Sequence, residues 1–149
     1  MRAVVQRVKS SSVRVDEKIV GSIKSGLLIF LGIASGDAEQ DIDYLVDKII
    51  NLRIFPDQAG NMNLSALEQK QQLLVVPQFT LYGDCRQGRR PSFSEAAAPG
   101  KAKKLYQQFL QQIKKCGLQI EQGKFQASME VNIINDGPVT MLLDSNKQF

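Results

Sequence analysis

The chain has 149 residues with 43% hydrophobic content, which is enough for one domain with its own core. The net charge of +4 is mildly basic, so it is compatible with an RNA or phosphate partner but does not specify one. The absence of histidine from the sequence excludes a Ser-His-Asp triad, a Cys-His pair and a histidine-ligated metal. Two cysteines, no signal-peptide pattern and no apolar run of roughly 20 residues together predict a cytoplasmic protein.

Short runs rich in β-branched residues predict a strand meander in the first third of the chain. The predicted strands are Arg2–Val8, Ser12–Val15 and Lys18–Ile23, with a turn at Asp16-Glu17. The continuous apolar run from Leu27 to Ile33 predicts a strand that is buried on both faces. Asp37 followed by Gln40 resembles a capping box, and the apolar spacing behind it predicts a helix to about Leu52.

The second half of the chain continues this mixture of strands and helices. The predicted elements are strands at Leu73–Val76 and Phe79–Tyr82, a loop at Gly83–Pro99, a helix around Ala102–Ile113 that Gly117 stops, and strands at Val131–Ile134 and Val139–Leu143. Because strands and helices do not alternate regularly, we expect a single α+β domain over residues 1–149, with mostly antiparallel sheet and two main helices.

The segment Asn135-Asp136-Gly137-Pro138-Val139-Thr140 interrupts the last two predicted strands. Proline has no N–H for a ladder hydrogen bond, so the Gly-Pro pair must form a turn or a bulge. A tight turn is the ordinary interpretation of such a pair. The alternative is that the two free carbonyl groups face a ligand.

A second interruption lies at Pro77-Gln78-Phe79-Thr80-Leu81. One interpretation is a strand kink with Phe79 in the core. The other is that free backbone N–H groups at the kink face a pocket, where they would stabilise an oxyanion. Thr80 has a nucleophilic hydroxyl, but the chain offers no histidine to activate it.

The polar loop after Gly83 carries three arginines: Arg86, Arg89 and Arg90. Together with Phe93 they suit phosphate contact and base stacking, so the loop is either RNA-binding or simply a solvated basic loop. Cys85 lies between Asp84 and Arg86, but without a histidine base an unreactive cysteine is favoured.

Taken together, these segments resemble the D-aminoacyl-tRNA deacylase (DTD) family from end to end. The family motif SQFTL corresponds to Pro77–Leu81, and the motif NxGPxT corresponds to Asn135–Thr140. Further matching segments are Asn51–Phe55, Met62–Ser65 and Gly88–Phe93. Two motifs in the right order within a full-length match are a more specific signal than either motif alone. The resemblance implies mostly antiparallel β-sheets in a barrel-like arrangement with two main helices.

The resemblance also implies an editing hydrolase, which cleaves the ester joining a D-amino acid, or mischarged glycine, to the terminal adenosine of tRNA. The partners would be tRNA and a second copy of the chain, with no cofactor, metal, membrane or DNA. Catalysis in the family is RNA-assisted: the terminal ribose 2′-OH helps to activate water, and backbone N–H groups around Gln78 and Phe79 stabilise the oxyanion. Thr80 matches a position proposed as a nucleophile, and we expect a positioning role for it.

In the family, the Gly-Pro bond is cis and the pair enters the active site of the partner subunit. The carbonyls of Gly137 and Pro138 would then occupy the space that an L side chain needs, so L-amino acids are rejected. Phe125 and Met129 match pocket-wall positions, and Ala102 matches a small residue near the adenosine. A plain core role is the alternative for these three residues.

Two positions depart from the family pattern. Pro77 replaces the usual serine, which removes a hydroxyl and an N–H beside the oxyanion site. A related animal deacylase with relaxed chirality also has proline there, but it lacks Phe79 and the NDGPVT form, so D-selectivity is favoured for this chain. Gln126 replaces a glycine after Phe125, and we expect it to alter the local backbone or access to the pocket. The alternative functions are a relaxed-chirality deacylase, a non-catalytic tRNA-binding module and a small-molecule esterase.

Overall fold

The computed structural model describes residues 1–148, in which two α-helices pack on a strongly curved sheet. A single 3₁₀ turn, Phe79–Tyr82, follows the sixth strand and is called the Phe79 turn below. The other elements, in chain order, are β1 (Arg2–Val15), β2 (Lys18–Ile23), β3 (Gly26–Gly32), α1 (Glu39–Asn51), β4 (Phe55–Pro56), β5 (Met62–Leu64), β6 (Gln72–Pro77), α2 (Pro99–Lys115), β7 (Ile120–Gln122) and β8 (Glu130–Asp144).

The main sheet is organised around β1, and its strand order is β2-β1-β3-β6-β7 with β8 also paired to β1. The pairings of β1 with β2, β3 and β8 are antiparallel, whereas β3–β6 and β6–β7 are parallel. The sheet curls until β2 approaches β7, and Gly21 permits this approach because a Cβ there would lie 2.7 Å from the Gln122 carbonyl oxygen. The predicted α+β fold with a barrel-like sheet and two main helices is therefore confirmed.

Alternate residues of the central strands face two separate apolar clusters. Leu73 and Val75 belong to the cluster that includes the helices, whereas Leu74 and Val76 belong to a smaller cluster with Val8. Because β3 contributes to both clusters, its apolar run is buried on both faces, as predicted. Within residues 1–148, no helix has the length and apolar content that a bilayer span requires.

The helices follow the predicted apolar spacing, but the first one starts later than expected. Its N-cap is Ala38, whose N–H donates to the Asp41 side chain at 2.8 Å. The prediction of a capping box at Asp37 is wrong. The buried Asp37 carboxylate instead accepts hydrogen bonds from the Ala34 N–H and the Met1 amine, each at 2.7 Å. Asp37 therefore ties the chain before α1 to the start of β1.

Two elements in this part of the chain differ from the predicted strands. Arg2–Val8 and Ser12–Val15 form one continuous strand, because β8 pairs with β1 along both halves. Phe79–Tyr82 is not a strand but a 3₁₀ turn.

The two strands predicted on either side of Gly137-Pro138 are parts of β8, so a plain turn between separate strands is wrong. Val8 pairs with Asn135 and Gln6 pairs with Thr140, which leaves residues 136–139 opposite Arg7 alone. The segment is thus a bulge in which four residues lie opposite one, and it is called the Gly-Pro bulge below.

Candidate active site

The end of β6 carries a main-chain turn that is anchored on β3. Pro77 is the last residue of β6, and the Gln78 N–H donates to the Leu31 carbonyl at 2.8 Å. The Phe79 turn then packs closely against β3 at Gly32. A Cβ at Gly32 would lie 2.9 Å from Leu81 Cβ and 3.0 Å from the Gln78 carbonyl oxygen. The close approach therefore requires a residue without a side chain at this point of β3.

Two backbone N–H groups at the start of the Phe79 turn are available to a ligand. Phe79 and Thr80 occupy its first positions, where N–H groups have no acceptor within the turn. Within residues 1–148, neither N–H donates to another protein group. The Gln78 N–H, which we expected to contribute, is engaged by Leu31. This leaves the N–H groups of Phe79 and Thr80 as an arrangement that suits an oxyanion.

The side chain of Phe79 is 59% exposed, so its interpretation as a core residue is wrong. Its ring contacts Phe93 edge-on, with ring centroids 5.0 Å apart and planes at 64°. Gly83 lies against the ring of Phe93, since a Cβ at Gly83 would be 3.0 Å from Phe93 Cε1. The aromatic pair connects the Phe79 turn to the loop that follows it.

Thr80 is oriented by an amide and not by a base. The Nε2 group of Gln78 donates a short hydrogen bond to Thr80 Oγ1. An amide nitrogen does not accept the proton of a hydroxyl, so this contact fixes the Thr80 side chain without activating it.

A backbone bridge between Asp84 and Ser92 closes the loop that carries the three arginines, called the arginine loop below. Arg86 makes a bidentate pair with Asp84, both contacts at 2.8 Å, and this pair holds the pKa of the Asp84 carboxyl well below its usual range. Arg89 and Arg90 are exposed, and neither forms an ion pair within residues 1–148. These two arginines are therefore free to contact phosphates, whereas the positive charge of Arg86 is already paired with the Asp84 carboxylate.

The Gly137-Pro138 peptide bond is cis, and Asn135 holds the Gly-Pro bulge from within β8. Its Oδ1 accepts from the Val139 N–H at 2.9 Å, and its Nδ2 donates to the Val139 carbonyl at 3.3 Å. Gly137 has a φ of +125°, which residues with a Cβ rarely adopt. The asparagine and glycine of the motif thus have direct structural roles in the bulge.

Arg7 is a site residue that sequence reasoning missed. Its Nε lies 3.0 Å from Asp136 Oδ2, an ion pair whose N–H direction falls outside hydrogen-bond geometry. Its Nη1 donates to the Ile54 carbonyl at 2.5 Å, and its Nη2 would lie 3.3 Å from a Cβ at Gly137. Only the pairing of β1 with β8 places Arg7 beside the bulge, and the sequence carries no signal for that pairing.

An open pocket of about 430 Å³ lies between α2, β2 and the segment that follows β7. Phe125 and Tyr106 are part of its lining, with ring centroids 6.0 Å apart. The Tyr106 hydroxyl donates to the Val75 carbonyl at 2.8 Å, and burial raises the pKa of this phenol. Tyr106 is therefore a buried part of the pocket wall whose hydroxyl is engaged by the main chain.

Of the four predicted pocket residues, Phe125 lines the pocket, whereas Pro77 and Met129 lie behind Gly123. Gly123 lines the pocket with Phe125, and a Cβ at Gly123 would lie 2.9 Å from Met129 Sδ and 3.3 Å from Pro77 Cδ. The fourth, Ala102, is half-buried and packs against the core on the helix side. Gln126, which we predicted to alter the local backbone, has a φ of +59°. This is the left-handed conformation that glycine adopts readily and other residues rarely adopt.

Within one chain, the Gly-Pro bulge and the Phe79 turn are far apart. β8 is next to β1, and β3 separates β1 from β6. Two strands, β1 and β3, therefore lie between the two motifs in the sheet. Residues 1–148 contain no group of three or more acidic or cysteine side chains placed to hold a metal ion.

Comparison with known proteins identifies close relatives over the whole chain. A family model described as D-Tyr-tRNA(Tyr) deacylase matches residues 4–144. A D-aminoacyl-tRNA deacylase from Halothermothrix orenii is 62% identical over 149 residues, which is 100% of both chains. A solved structure titled c-Myc DNA Unwinding Element Binding Protein has a TM-score of 0.91 at 39% identity and covers 97% of this chain and 98% of its own. A probable eukaryotic D-amino acid tRNA deacylase, with a TM-score of 0.85 at 17% identity over 95% and 97% of the two chains, shares the fold.

Proposed function

The chain belongs to the D-Tyr-tRNA(Tyr) deacylase family and is a hydrolase of that kind, and from this premise we propose how its residues remove D-amino acids from tRNA. The reaction hydrolyses the ester between the amino acid and the terminal adenosine. The observation that carries the proposal is the pair of unengaged N–H groups of Phe79 and Thr80. Pro77, which precedes their turn, lies behind Gly123 of the pocket that Phe125 lines. Such a pair of N–H groups suits an ester carbonyl that develops negative charge.

In the proposed mechanism, a water molecule adds to the ester carbonyl carbon, and the bond to the ribose oxygen breaks. The terminal 2′-OH of the tRNA assists the transfer of the water proton to the departing ribose oxygen. The N–H groups of Phe79 and Thr80 stabilise the oxyanion that forms between these steps. Thr80 positions the reactants, which fits its hydrogen bond from the Gln78 amide. The absence of a histidine is consistent with this division of labour.

Chirality is selected by Gly137 and Pro138 of a second subunit. Their carbonyls enter the pocket beside Phe79 and occupy the volume that an L side chain needs, whereas a D residue and glycine fit. The two strands that lie between the motifs within one chain support a second copy as the source of the filter. Ile133 and Ile134 precede the bulge with 37% and 57% exposure, which provides apolar surface for such a homodimer.

A deacylation assay with D-Tyr-tRNA, L-Tyr-tRNA and Gly-tRNA tests this function. We expect hydrolysis of the D-Tyr and Gly esters and protection of the L-Tyr ester. Equal hydrolysis of D-Tyr and L-Tyr esters would instead indicate relaxed chirality. Pro77, which stands in place of the usual serine, would then be the residue to which we attribute it. Cleavage of a D-tyrosine methyl ester as fast as the tRNA ester would indicate a small-molecule esterase. The expected site of action is the cytoplasm.

A second candidate, a non-catalytic tRNA-binding module, is favoured by the exposure of Arg89 and Arg90 in the arginine loop. It predicts salt-dependent tRNA binding without any ester cleavage. Since one solved relative is titled as a DNA-binding protein, a DNA duplex is the appropriate competitor. We expect tRNA to be bound in preference to the duplex, and preferential DNA binding would contradict both RNA-directed proposals.

A further inference from the structure

The charged side chains that line the 430 Å³ pocket are all positive. Two lysines line it, Lys103 on α2 and Lys124 after β7, and no carboxylate of residues 1–148 is part of that lining. The two lysines come from different elements that the fold brings to one concave surface. A concavity with uncompensated positive charge concentrates anions.

Neither lysine is occupied elsewhere in the protein. The side chains of Lys103 and Lys124 are exposed, and within residues 1–148 neither makes an ion pair or a side-chain hydrogen bond. Lys101, on the same helix, differs in donating to the Ser35 carbonyl at 2.5 Å. Two unpaired ammonium groups at one pocket suit an anionic ligand group.

The rest of the lining suits a nucleoside. Phe125 offers a half-buried aromatic ring, and Gln107 and Gln122 offer amides that pair with base edges. The volume of about 430 Å³ lies in the range of small-ligand sites. Gly123 of the pocket lies close to Pro77, since a Cβ there would be 3.3 Å from Pro77 Cδ, and Pro77 ends the strand that precedes the Phe79 turn.

We propose that Lys103 and Lys124 bind the backbone phosphate that links the terminal adenosine of tRNA to the preceding nucleotide. The inference rests on the proposed function, since it takes the 3′ end of tRNA as the ligand of this pocket. It assigns to two lysines the task of holding the last internucleotide link, while the arginine loop contacts phosphates elsewhere on the tRNA.

The first experiment measures binding of an uncharged RNA hairpin that ends in CCA, by fluorescence anisotropy at several salt concentrations. We expect Lys103→Ala and Lys124→Ala each to weaken binding about tenfold at low salt. Removing both lysines should lower the slope of log affinity against log salt by about 0.7, the value for one phosphate of a single strand. Lys103→Arg should retain most of the affinity because it keeps the charge.

Lys104→Ala is the matched control, because Lys104 is the neighbouring exposed lysine of α2 and does not line the pocket. An equal loss for Lys104→Ala would show that any positive charge on α2 contributes, which overturns the proposal. Unchanged binding by both pocket-lysine variants would overturn it as well. Thermal unfolding of each variant confirms that the fold is intact.

A second ligand separates the phosphate contact from the rest of the site. An amide-linked D-tyrosyl-adenosine has the nucleoside and the amino acid but no phosphate. We expect it to bind the wild type and both pocket-lysine variants equally, and a loss of its binding in the variants would contradict a phosphate role. Deacylation of D-Tyr-tRNA by the wild type is assayed separately. Lack of deacylation with normal lysine-dependent RNA binding would sink the proposed function alone.

Discussion

At the residue scale, Gln78 and Asn135 of the two motifs act through neutral hydrogen bonds. Gln78 orients Thr80, and Asn135 holds both the N–H and the carbonyl of Val139. None of these contacts moves a proton to a side-chain base. We therefore expect substitutions here to affect the position of groups more than the ionisation of groups.

Thr80→Ala tests this expectation directly. The variant loses one side-chain hydrogen bond of about 1 kcal/mol, so deacylation of D-Tyr-tRNA should stay within about tenfold of the wild type. A substrate ending in 2′-deoxyadenosine should react roughly 10²- to 10⁴-fold more slowly, because it lacks the assisting hydroxyl. Single-turnover rates measure both effects. An inactive Thr80→Ala enzyme with normal rates on the deoxy substrate would favour a threonine nucleophile.

Asn135→Ala removes the side chain that holds the Gly-Pro bulge. Val139 is buried, so its unpaired N–H should lower the free energy of unfolding by about 1–3 kcal/mol. Because the loosened bulge should exclude L side chains less well, the variant should also hydrolyse L-Tyr-tRNA faster relative to D-Tyr-tRNA. Asn132→Ala, at an exposed position of the same strand, is the control and should change neither quantity. Unaltered chiral discrimination in a destabilised Asn135→Ala variant would contradict a role for the bulge in selectivity.

At the element scale, glycines determine where strands and the Phe79 turn meet. Gly21 permits the approach of β2 to β7, and Gly32 permits the approach of the Phe79 turn to β3. A sheet that pairs in this way delivers an irregular turn to a defined position at the end of a buried strand. The precision of the site therefore depends on β3 as much as on the residues of the turn.

Gly32→Ala should displace the Phe79 turn, because the added Cβ would lie 2.9 Å from Leu81 Cβ. Overpacking of this kind lowers the free energy of unfolding by about 1–3 kcal/mol. We expect kcat for D-Tyr-tRNA to fall as well, since the N–H groups of Phe79 and Thr80 move with the turn. Gly36→Ala, where a Cβ meets nothing within 4 Å, should leave both stability and kcat unchanged. If a destabilised Gly32→Ala variant kept the wild-type kcat, the Phe79 turn would not be part of the catalytic site.

At the scale of the whole molecule, one chain separates the two motifs that the proposed function requires together. The Gly-Pro bulge lies on β8, the Phe79 turn follows β6, and two strands lie between them. A second copy resolves this separation if its bulge enters the pocket of the first. The proposed active unit is for this reason the dimer and not the isolated chain.

Ile134→Lys tests the requirement for a second copy. A charge at this exposed residue next to the bulge should shift the protein from dimer to monomer in analytical ultracentrifugation, with a parallel loss of deacylation. Leu67→Lys is the control, because Leu67 is exposed in the turn that hydrogen-bonds to Ile50 of α1. Full activity in a monomeric Ile134→Lys variant would contradict a filter supplied by the partner.

The sequence by itself determined the elements whose signals are local. The apolar spacing of both helices, the doubly buried β3 and the turn at Asp16-Glu17 follow from periodicity and turn chemistry, and the motifs around Gln78 and Gly137 specify the family. Tertiary structure alone decided which backbone groups remain free and which side chains support them. The capture of the Gln78 N–H by Leu31 and the place of Arg7 beside the bulge depend on strand pairing between distant segments. A strand's alternating pattern specifies which face is buried. It does not specify which distant strand becomes its neighbour, and so these features emerge only when the sheet is assembled.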